Sequence, residues 1–188
     1  MDQRITTYLK ELKQHGIKEN IPNVSKIVGE FLNMMILVKS PTNILEIGCA
    51  NGYSTIWMAE AAQSIGATIH TIDHSAPTYN EAKKNLSEIG LSNVVNFHFG
   101  KAEKIITEFP SDLKFDFVFV DGEKASYLDF WGVIKPMLSE KATVIFDDMI
   151  KFPHKTKPFE EAIKNEDDFS QLLLPIEEDD GILLLLKK

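Results

Sequence analysis

The sequence has a single cysteine, Cys49, and a single arginine, Arg4, among its 188 residues. One cysteine cannot form an internal disulfide, which favours a reducing, cytoplasmic environment. One arginine excludes a site built on several bidentate guanidinium clamps for phosphate or carboxylate. The longest apolar runs, such as residues 181–186, are far too short to cross a bilayer. The sequence therefore predicts a cytoplasmic protein with no membrane partner.

The chain is acidic, with a formal net charge of −8 at pH 7 and a pI of about 5.1. Nucleic-acid backbones bind through lysines and arginines that neutralise phosphates, so nucleic acid is not favoured as a partner. The 44% hydrophobic and 26% charged content is ordinary for a globular protein. At this length we expect one domain over residues 1–188.

Apolar segments of strand length alternate with segments of helical periodicity along most of the chain. Residues 1–40 predict two amphipathic helices, and five strand–helix pairs follow them. Such alternation predicts parallel βαβ units with helices on both faces of a sheet. The last two apolar runs, residues 172–176 and 182–186, have only a short acidic segment between them. We expect them to pair as an antiparallel hairpin.

The first predicted strand leads through a glycine turn into a helix, within residues 43–54. Gly48 and Gly52 allow positive φ and let the backbone approach a ligand closely. The helix that begins at Tyr53 offers free N–H groups at its start. Asp73 ends the next strand about 20 residues later, where a carboxylate can reach ribose hydroxyls. An ordinary turn without a ligand would have the same glycines, but Asp73 favours a nucleoside ligand.

Two residues of the turn separate the candidate ligands. Ala50 stands where the dinucleotide pattern has its middle glycine, so a pyrophosphate would lack its close backbone approach and NAD is disfavoured. Glu46 puts an acid at the mouth of the turn. An acid suits a ligand with an ammonium or sulfonium group, such as S-adenosylmethionine.

Three carboxylates follow two further strands, at the points where those strands end. Asp121 follows one strand, and Asp147 and Asp148 follow the next. Neighbouring parallel strands would bring them to one edge of the sheet, where their mutual repulsion favours a cation. Carboxylate oxygens suit Mg²⁺, Mn²⁺ or Ca²⁺. The alternative is that these acids are exposed to solvent and cap helices.

Basic residues lie close to these acids in the sequence. Lys124 could act as a base if a neighbouring cation or desolvation lowered its pKa, although an isolated lysine is usually solvated. The positive residues that follow Asp148 form either a mouth for an anionic substrate or a solvated loop. They are Lys151, His154, Lys155 and Lys157.

Together these segments resemble the cation-dependent O-methyltransferases, which include catechol and caffeoyl-CoA O-methyltransferases and bacterial members. The segments that carry the resemblance are Glu46-Ile-Gly-Cys-Ala-Asn-Gly52-Tyr53-Ser54, Thr71-Ile72-Asp73, Asp121-Gly-Glu-Lys124-Ala-Ser-Tyr127 and Asp147-Asp148. The resemblance extends from about Ile21 to Asp180-Gly181. It implies an α/β fold, the Rossmann-like class I methyltransferase fold. That fold has a mostly parallel seven-stranded sheet with an antiparallel last strand and helices on both faces.

The resemblance also implies a binding site for S-adenosylmethionine and a divalent cation, most simply Mg²⁺, with Mn²⁺ or Ca²⁺ as alternatives. The implied cofactor-binding residues are Val24, Glu46, Gly48 and Ser54 at the methionine moiety, Asp73 at the ribose, Ala102 and Glu103 at the adenine, and Asp121. The implied metal ligands are Asp121, Asp147 and Asp148, and Lys124 is the implied general base. Asp148 departs from the family, in which asparagine is usual.

The leading hypothesis is therefore a metal-dependent O-methyltransferase that acts on a hydroxyl of a small, catechol-like molecule. One alternative is a tRNA hydroxyuridine O-methyltransferase, which the low pI and scarcity of arginine disfavour. The other is a cofactor-binding module without catalysis. Dimers are frequent in the family, so residues 1–40 are expected to form a homodimer interface or to cover the sheet and the substrate side.

Overall fold

The computed structural model describes residues 2–188, in which seven strands form one sheet. The strands are β1 (Asn43–Ile47), β2 (Thr68–Asp73), β3 (Val95–Phe99), β4 (Phe115–Val120), β5 (Leu138–Phe146), β6 (Phe169–Leu174) and β7 (Ile182–Lys187). Their order across the sheet is β3-β2-β1-β4-β5-β7-β6, and β1 to β5 are parallel. β7 is antiparallel to both of its neighbours, β5 and β6. The predicted fold class is therefore confirmed, including the hairpin. Met1 lies outside the described residues.

Seven α-helices of this part of the chain surround the sheet. They are α1 (Gln3–Glu19), α2 (Lys26–Lys39), α3 (Tyr53–Ile65), α4 (Ala76–Glu88), α5 (Ala102–Glu108), α6 (Tyr127–Ile134) and α7 (Pro153–Ile163). The first two have side-chain caps, because Asp2 Oδ1 accepts from Arg4 N at 2.8 Å and Ser25 Oγ accepts from Val28 N at 3.2 Å. In residues 2–188 no helix is both long and apolar enough to cross a membrane.

The core has two layers because successive side chains of a strand point to opposite faces. In β1, Ile44 packs in the layer that contains buried residues of α1, α2 and α3, and Leu45 and Ile47 pack in the layer that contains those of α6 and α7. All three are at most 3% exposed, and burying one such side chain stabilises the fold by about 1.5–3 kcal/mol. The same alternation sends Glu46 towards the α3 layer.

The boundaries of α7 and β6 are among those that differ from the sequence prediction. α7 begins at Pro153, whereas the helical periodicity of the sequence predicts a helix only over residues 159–165, after a loop. Proline is favoured in the first turn of a helix because its fixed φ suits the helix and its missing N–H has no partner to lose. β6 covers residues 169–174 instead of 172–176, since Phe169 is buried and pairs with Lys187.

Candidate active site

A cleft of about 810 Å³ lies at the carboxyl ends of the parallel strands. The chain order reverses between β1 and β4, and such switch points are where open α/β sheets bind ligands. Nine of the predicted site residues line the cleft, namely Val24, Gly48, Asp73, Ala102, Glu103, Asp121, Lys124, Asp147 and Asp148. The strand ends thus bring together residues that are far apart in the sequence.

The turn after β1 lies directly against the end of β4. Gly48 has φ +91°, and a Cβ at this position would stand 2.4 Å from the carbonyl oxygen of Asp121. Gly48 N donates to Ile72 O at 2.9 Å, and Asp121 N donates to Ile47 O at 2.9 Å. These contacts require glycine at this position and fix the floor of the cleft.

Asp73 is held by backbone N–H groups on both sides of its carboxylate. Its Oδ2 accepts from Ala50 N and its Oδ1 accepts from Ser75 N, each at 2.8 Å. A carboxylate oxygen has further lone pairs after one such bond. Asp73 therefore ties the glycine turn to the end of β2 and still has acceptors for a pair of hydroxyl groups.

Two walls of the cleft come from the α1–α2 connection and from α5. Lys13 Nζ donates to the carbonyls of Asn23 at 2.7 Å and Val24 at 2.9 Å, which holds that connection against the cleft. On the other wall, Ala102 and Glu103 begin α5. The sequence predicts contacts of these walls with the cofactor, and the structure puts Val24, Ala102 and Glu103 at the cleft surface.

Glu46 and Ser54 differ from the other predicted cofactor residues because they lie beneath the turn. Glu46 is fully buried and accepts hydrogen bonds of 2.6 Å from three hydroxyl groups, those of Ser54, Thr55 and Thr71. Burial raises the pKa of Glu46 to about 7, although these hydroxyls oppose the shift. The pattern of β1 explains this placement, since Glu46 lies on the same face of the strand as Ile44, which packs on the α3 side of the sheet. The two residues support the turn from behind.

Lys124 lies between two carboxylates at the ends of β4 and β5. Its Nζ is 2.6 Å from Asp121 Oδ1 and 2.7 Å from Asp148 Oδ2. Burial alone would lower the pKa of Lys124, but the two carboxylates outweigh it and raise the pKa. This direction is opposite to the lowered pKa that the sequence led us to consider. In this arrangement Lys124 is an ammonium group.

Asp147 is adjacent to this cluster and 8% exposed. Burial, together with Asp121 and Asp148, raises its pKa well above the usual value. Among the described residues, no three His, Cys, Asp or Glu side chains are arranged to hold a metal ion. The chemistry of the donors nevertheless fits a hard cation, because Asp121 and Asp148 already converge on a positive charge.

A fourth carboxylate, Asp180, was not predicted as a site residue. It is 3% exposed and lies where the chain enters β7, next to Asp148. Burial raises the pKa of Asp148 to about 6, and the Asp180 carboxyl group beside it adds to the shift. The acidic run of residues 177–180 was its signal in the sequence, and Asp180 lies buried at the end of this run, just before β7.

The positive mouth that the sequence suggested is neutralised in the structure. Lys151 pairs with Asp179 at 3.4 Å, and Lys155 pairs with Glu123 at 3.3 Å. Lys157 lies on α7 and is 3.9 Å from Glu161. Exposed pairs of this kind contribute little to stability, but they leave no net positive charge to attract an anion.

Comparison with known proteins agrees with this geometry. A family model described as O-methyltransferase matches residues 2–188. The chain belongs to the O-methyltransferase family. Membership of this family, which the sequence motifs indicate, is thereby confirmed.

Other members of the O-methyltransferase family are similar in sequence and in structure. Catechol O-methyltransferase of Niastella koreensis is 33% identical over 132 residues, which are 68% of this chain and 58% of that protein. Caffeoyl-CoA O-methyltransferase 1 of Arabidopsis thaliana is 30% identical over 65% of this chain and 49% of its own length. The chain thus spans about half of the length of these relatives. A crystal structure of the O-methyltransferase from Bacillus cereus in complex with SAH has a TM-score of 0.88 at 25% identity, covering 97% of this chain and 91% of that one.

Proposed function

We propose that this protein transfers a methyl group from S-adenosylmethionine to a hydroxyl of a small molecule with the help of a divalent cation. The observation that carries the proposal is the Lys124 ammonium between Asp121 and Asp148, at the cleft beside the glycine turn. This arrangement supports a role for Lys124 as proton carrier and for Asp121 and Asp148 as cation ligands next to the proposed cofactor site. The SAH bound by the similar Bacillus cereus protein supports the choice of cofactor.

The cofactor would lie along the turn between β1 and α3. Bound there, S-adenosylmethionine supplies an electrophilic methyl group on its sulfonium sulfur. The free acceptors of Asp73 suit the two ribose hydroxyls, and Val24, Ala102 and Glu103 would close the site from its walls. Glu46 and Ser54 would act indirectly, because they hold the turn in shape from below. The chain's task is to hold the reacting oxygen close to the methyl group.

Asp121, Asp147 and Asp148 would hold the cation, for which Mg²⁺ is the first candidate. Such a cation lowers the pKa of a hydroxyl bound to it. Asp121 and Asp148 are also the carboxylates that raise the pKa of Lys124. With a cation held by these carboxylates, the pKa of Lys124 would fall, because the cation would offset the negative charge that raises it. A Lys124 amine can take the proton of the acceptor hydroxyl.

The acceptor is proposed to be a small, catechol-like molecule. The likeness to the catechol O-methyltransferase of Niastella koreensis supports this class. The pairing of Lys151 and Lys155 with carboxylates also supports a small acceptor over RNA, since phosphate binding depends on unpaired positive charge.

The test measures transfer of a labelled methyl group from S-adenosylmethionine to a catechol, to a phenol and to total tRNA. We expect label in the catechol, loss of transfer with EDTA, and recovery with Mg²⁺. Lys124→Met should abolish transfer, whereas the control Lys157→Met removes an exposed lysine and should keep it. Label in tRNA alone would contradict the small acceptor, and EDTA-resistant transfer would contradict the cation.

A further inference from the structure

The first helix, α1, has an apolar stripe that is flanked by two polar side chains. Ile5, Leu9 and Leu12 form the stripe, are buried, and pack in the core layer that also contains residues of α2 and α3. With about 3.6 residues per turn, Tyr8 and Lys13 lie about 140° apart around the helix, one on each side of the stripe. The stripe already holds α1 on the core, so the contacts of the two polar side chains need a separate explanation.

Lys13 connects α1 to one wall of the cleft and to the helix that follows the glycine turn. Its Nζ donates to the carbonyl oxygens of Asn23 at 2.7 Å and Val24 at 2.9 Å. The same ammonium group lies 5.5 Å from the centre of the Tyr53 ring. Tyr53 is the first residue of α3, and Val24 lines the cleft. One side chain of α1 thus contacts both segments between which the cofactor is proposed to lie.

Tyr8 connects α1 to the glycine turn itself, through Asn85 of α4. The Tyr8 hydroxyl donates to Asn85 Oδ1 at 2.9 Å, closer than Glu88 Oε2 at 3.3 Å. Asn85 Nδ2 in turn donates to the carbonyl oxygen of Asn51 at 2.8 Å. Asn85 is 6% exposed, and both ends of its amide are used in this path. The path therefore runs from α1 through α4 to the backbone between Gly48 and Gly52.

We propose that α1 is a brace for the cofactor site, in which Lys13 and Tyr8 are positioning residues that link the docking of α1 to the binding of S-adenosylmethionine. The proposal rests on the proposed function, which puts the cofactor between Val24 and the glycine turn. Segments that are held in place before binding lose less freedom when a ligand arrives, which favours affinity. Such a linkage is reciprocal, so the bound cofactor also stabilises the docked helix. The competing explanation is that α1 only covers the core with its apolar stripe.

Single substitutions on α1 separate the two explanations. Lys13→Met removes the ammonium group and keeps an apolar stem, whereas Lys13→Arg keeps a cation with several N–H donors for the two carbonyls. Tyr8→Phe removes only the hydroxyl group. The control is Lys10→Met, which removes an exposed positive charge from the same helix. If Lys13→Met does not fold, Tyr8→Phe decides the proposal, because it removes a single oxygen atom.

The first measurement is the dissociation constant of S-adenosylmethionine by calorimetry. We expect Lys13→Met to weaken binding at least tenfold, about 1.4 kcal/mol, and Tyr8→Phe to weaken it about fivefold. Lys13→Arg should lose less than about threefold and Lys10→Met less than about twofold. Loss of a positive charge by itself favours a cationic ligand, so a weakening reports lost positioning. An unchanged affinity in either folded variant, Lys13→Met or Tyr8→Phe, would overturn the proposal, as would an equal loss for Lys10→Met.

The second measurement is amide hydrogen exchange along α1 with and without the cofactor, with the edge strand β6 as reference for effects on the whole fold. In the native protein we expect the cofactor to slow exchange in α1 at least about fivefold more than in β6. In the double variant with Lys13→Met and Tyr8→Phe, compared at equal saturation, this difference should be less than about twofold. A native α1 that exchanges equally fast with and without the cofactor would refute the linkage.

A native protein that binds no S-adenosylmethionine would contradict the cofactor of the proposed function. The exchange of residues 21–25 and 49–52 in the cofactor-free variants then decides the brace by itself. Faster exchange of residues 21–25 in Lys13→Met and of residues 49–52 in Tyr8→Phe supports it. Exchange as slow as in the native protein rejects it.

Discussion

Replacing Glu46 with glutamine would remove a buried charge while it keeps the shape of the side chain. In the native protein the Glu46 carboxylate accepts from the hydroxyls of Ser54, Thr55 and Thr71. The amide oxygen of glutamine can still accept from Thr55 and Thr71, which both bond to Oε2. Its NH₂ group can donate to the Ser54 hydroxyl, because a hydroxyl also accepts. We therefore expect Glu46→Gln to fold.

The size of the effect follows from the pKa of Glu46, which burial raises from 4.5 to about 7. Between these values the folded protein binds more protons at this group than the unfolded chain, so its stability falls as the pH rises. Each pKa unit corresponds to about 1.4 kcal/mol, which makes the loss about 3 kcal/mol in total. Glutamine does not titrate, so the Glu46→Gln protein should lack this loss.

Urea unfolding from about pH 4.5 to about pH 8 measures the difference. As the pH rises across this range, we expect the free energy of unfolding of Glu46→Gln to increase by about 3 kcal/mol relative to that of the native protein. Glu108→Gln, on an exposed part of α5, is the matched control and should show no such gain. Equal pH slopes for the native and Glu46→Gln proteins would refute the reasoning. The affinity for S-adenosylmethionine should change less than about threefold, whereas a direct contact predicts a larger loss.

Three further predictions concern the turn, the cofactor and the acid limit of stability. Gly48→Ala should lower the free energy of unfolding by about 3 kcal/mol or more, because the added Cβ would meet a carbonyl oxygen. A Cβ at Gly66 would point into open space, so the control Gly66→Ala should lose only about 1 kcal/mol. Asp73→Ala should weaken S-adenosylmethionine binding at least about tenfold in calorimetry, since a charged acceptor is lost; an unchanged affinity would contradict the ribose assignment. Burial lowers the pKa of both His70 and His98, so the unfolded chain binds more protons there and stability should fall below about pH 6.5. His70→Phe should flatten this fall in urea unfolding, and an unaltered slope would exclude His70 as a source of it.

The fold could be predicted because each element carried its own local signal. Strand runs, helical periodicity and the short acidic link before residue 182 gave the alternation and the hairpin. The strand ends then predicted that Asp121 and Asp148 meet, and they converge on Lys124. Strand ends predict which side chains lie near one another, because the sheet sets the positions of its strands.

The partners within that neighbourhood could not be predicted from the sequence. Lys124 gains its raised pKa from two carboxylates on different strands, and this balance against burial depends on distances. Glu46 lies in a strand whose other residues are mostly apolar. Only the structure shows that the hydroxyls of Thr55 and Thr71 donate to its carboxylate. The position of Asp180 depends on the pairing of β5 with β7. These strands are distant in the sequence, and no local pattern encodes their pairing.

The antiparallel course of β7 has a consequence for how the protein is made. Asp180 and β7 leave the ribosome after Asp121, Asp147 and Asp148, because they are later in the sequence. β6 also has no neighbour in the sheet until β7 is present, since β7 lies between it and β5. A nascent chain can therefore build the glycine turn and the Lys124 contact with Asp121 early. Residues 149–151 cannot bond to Asp180 and Gly181 until the last strand has been made.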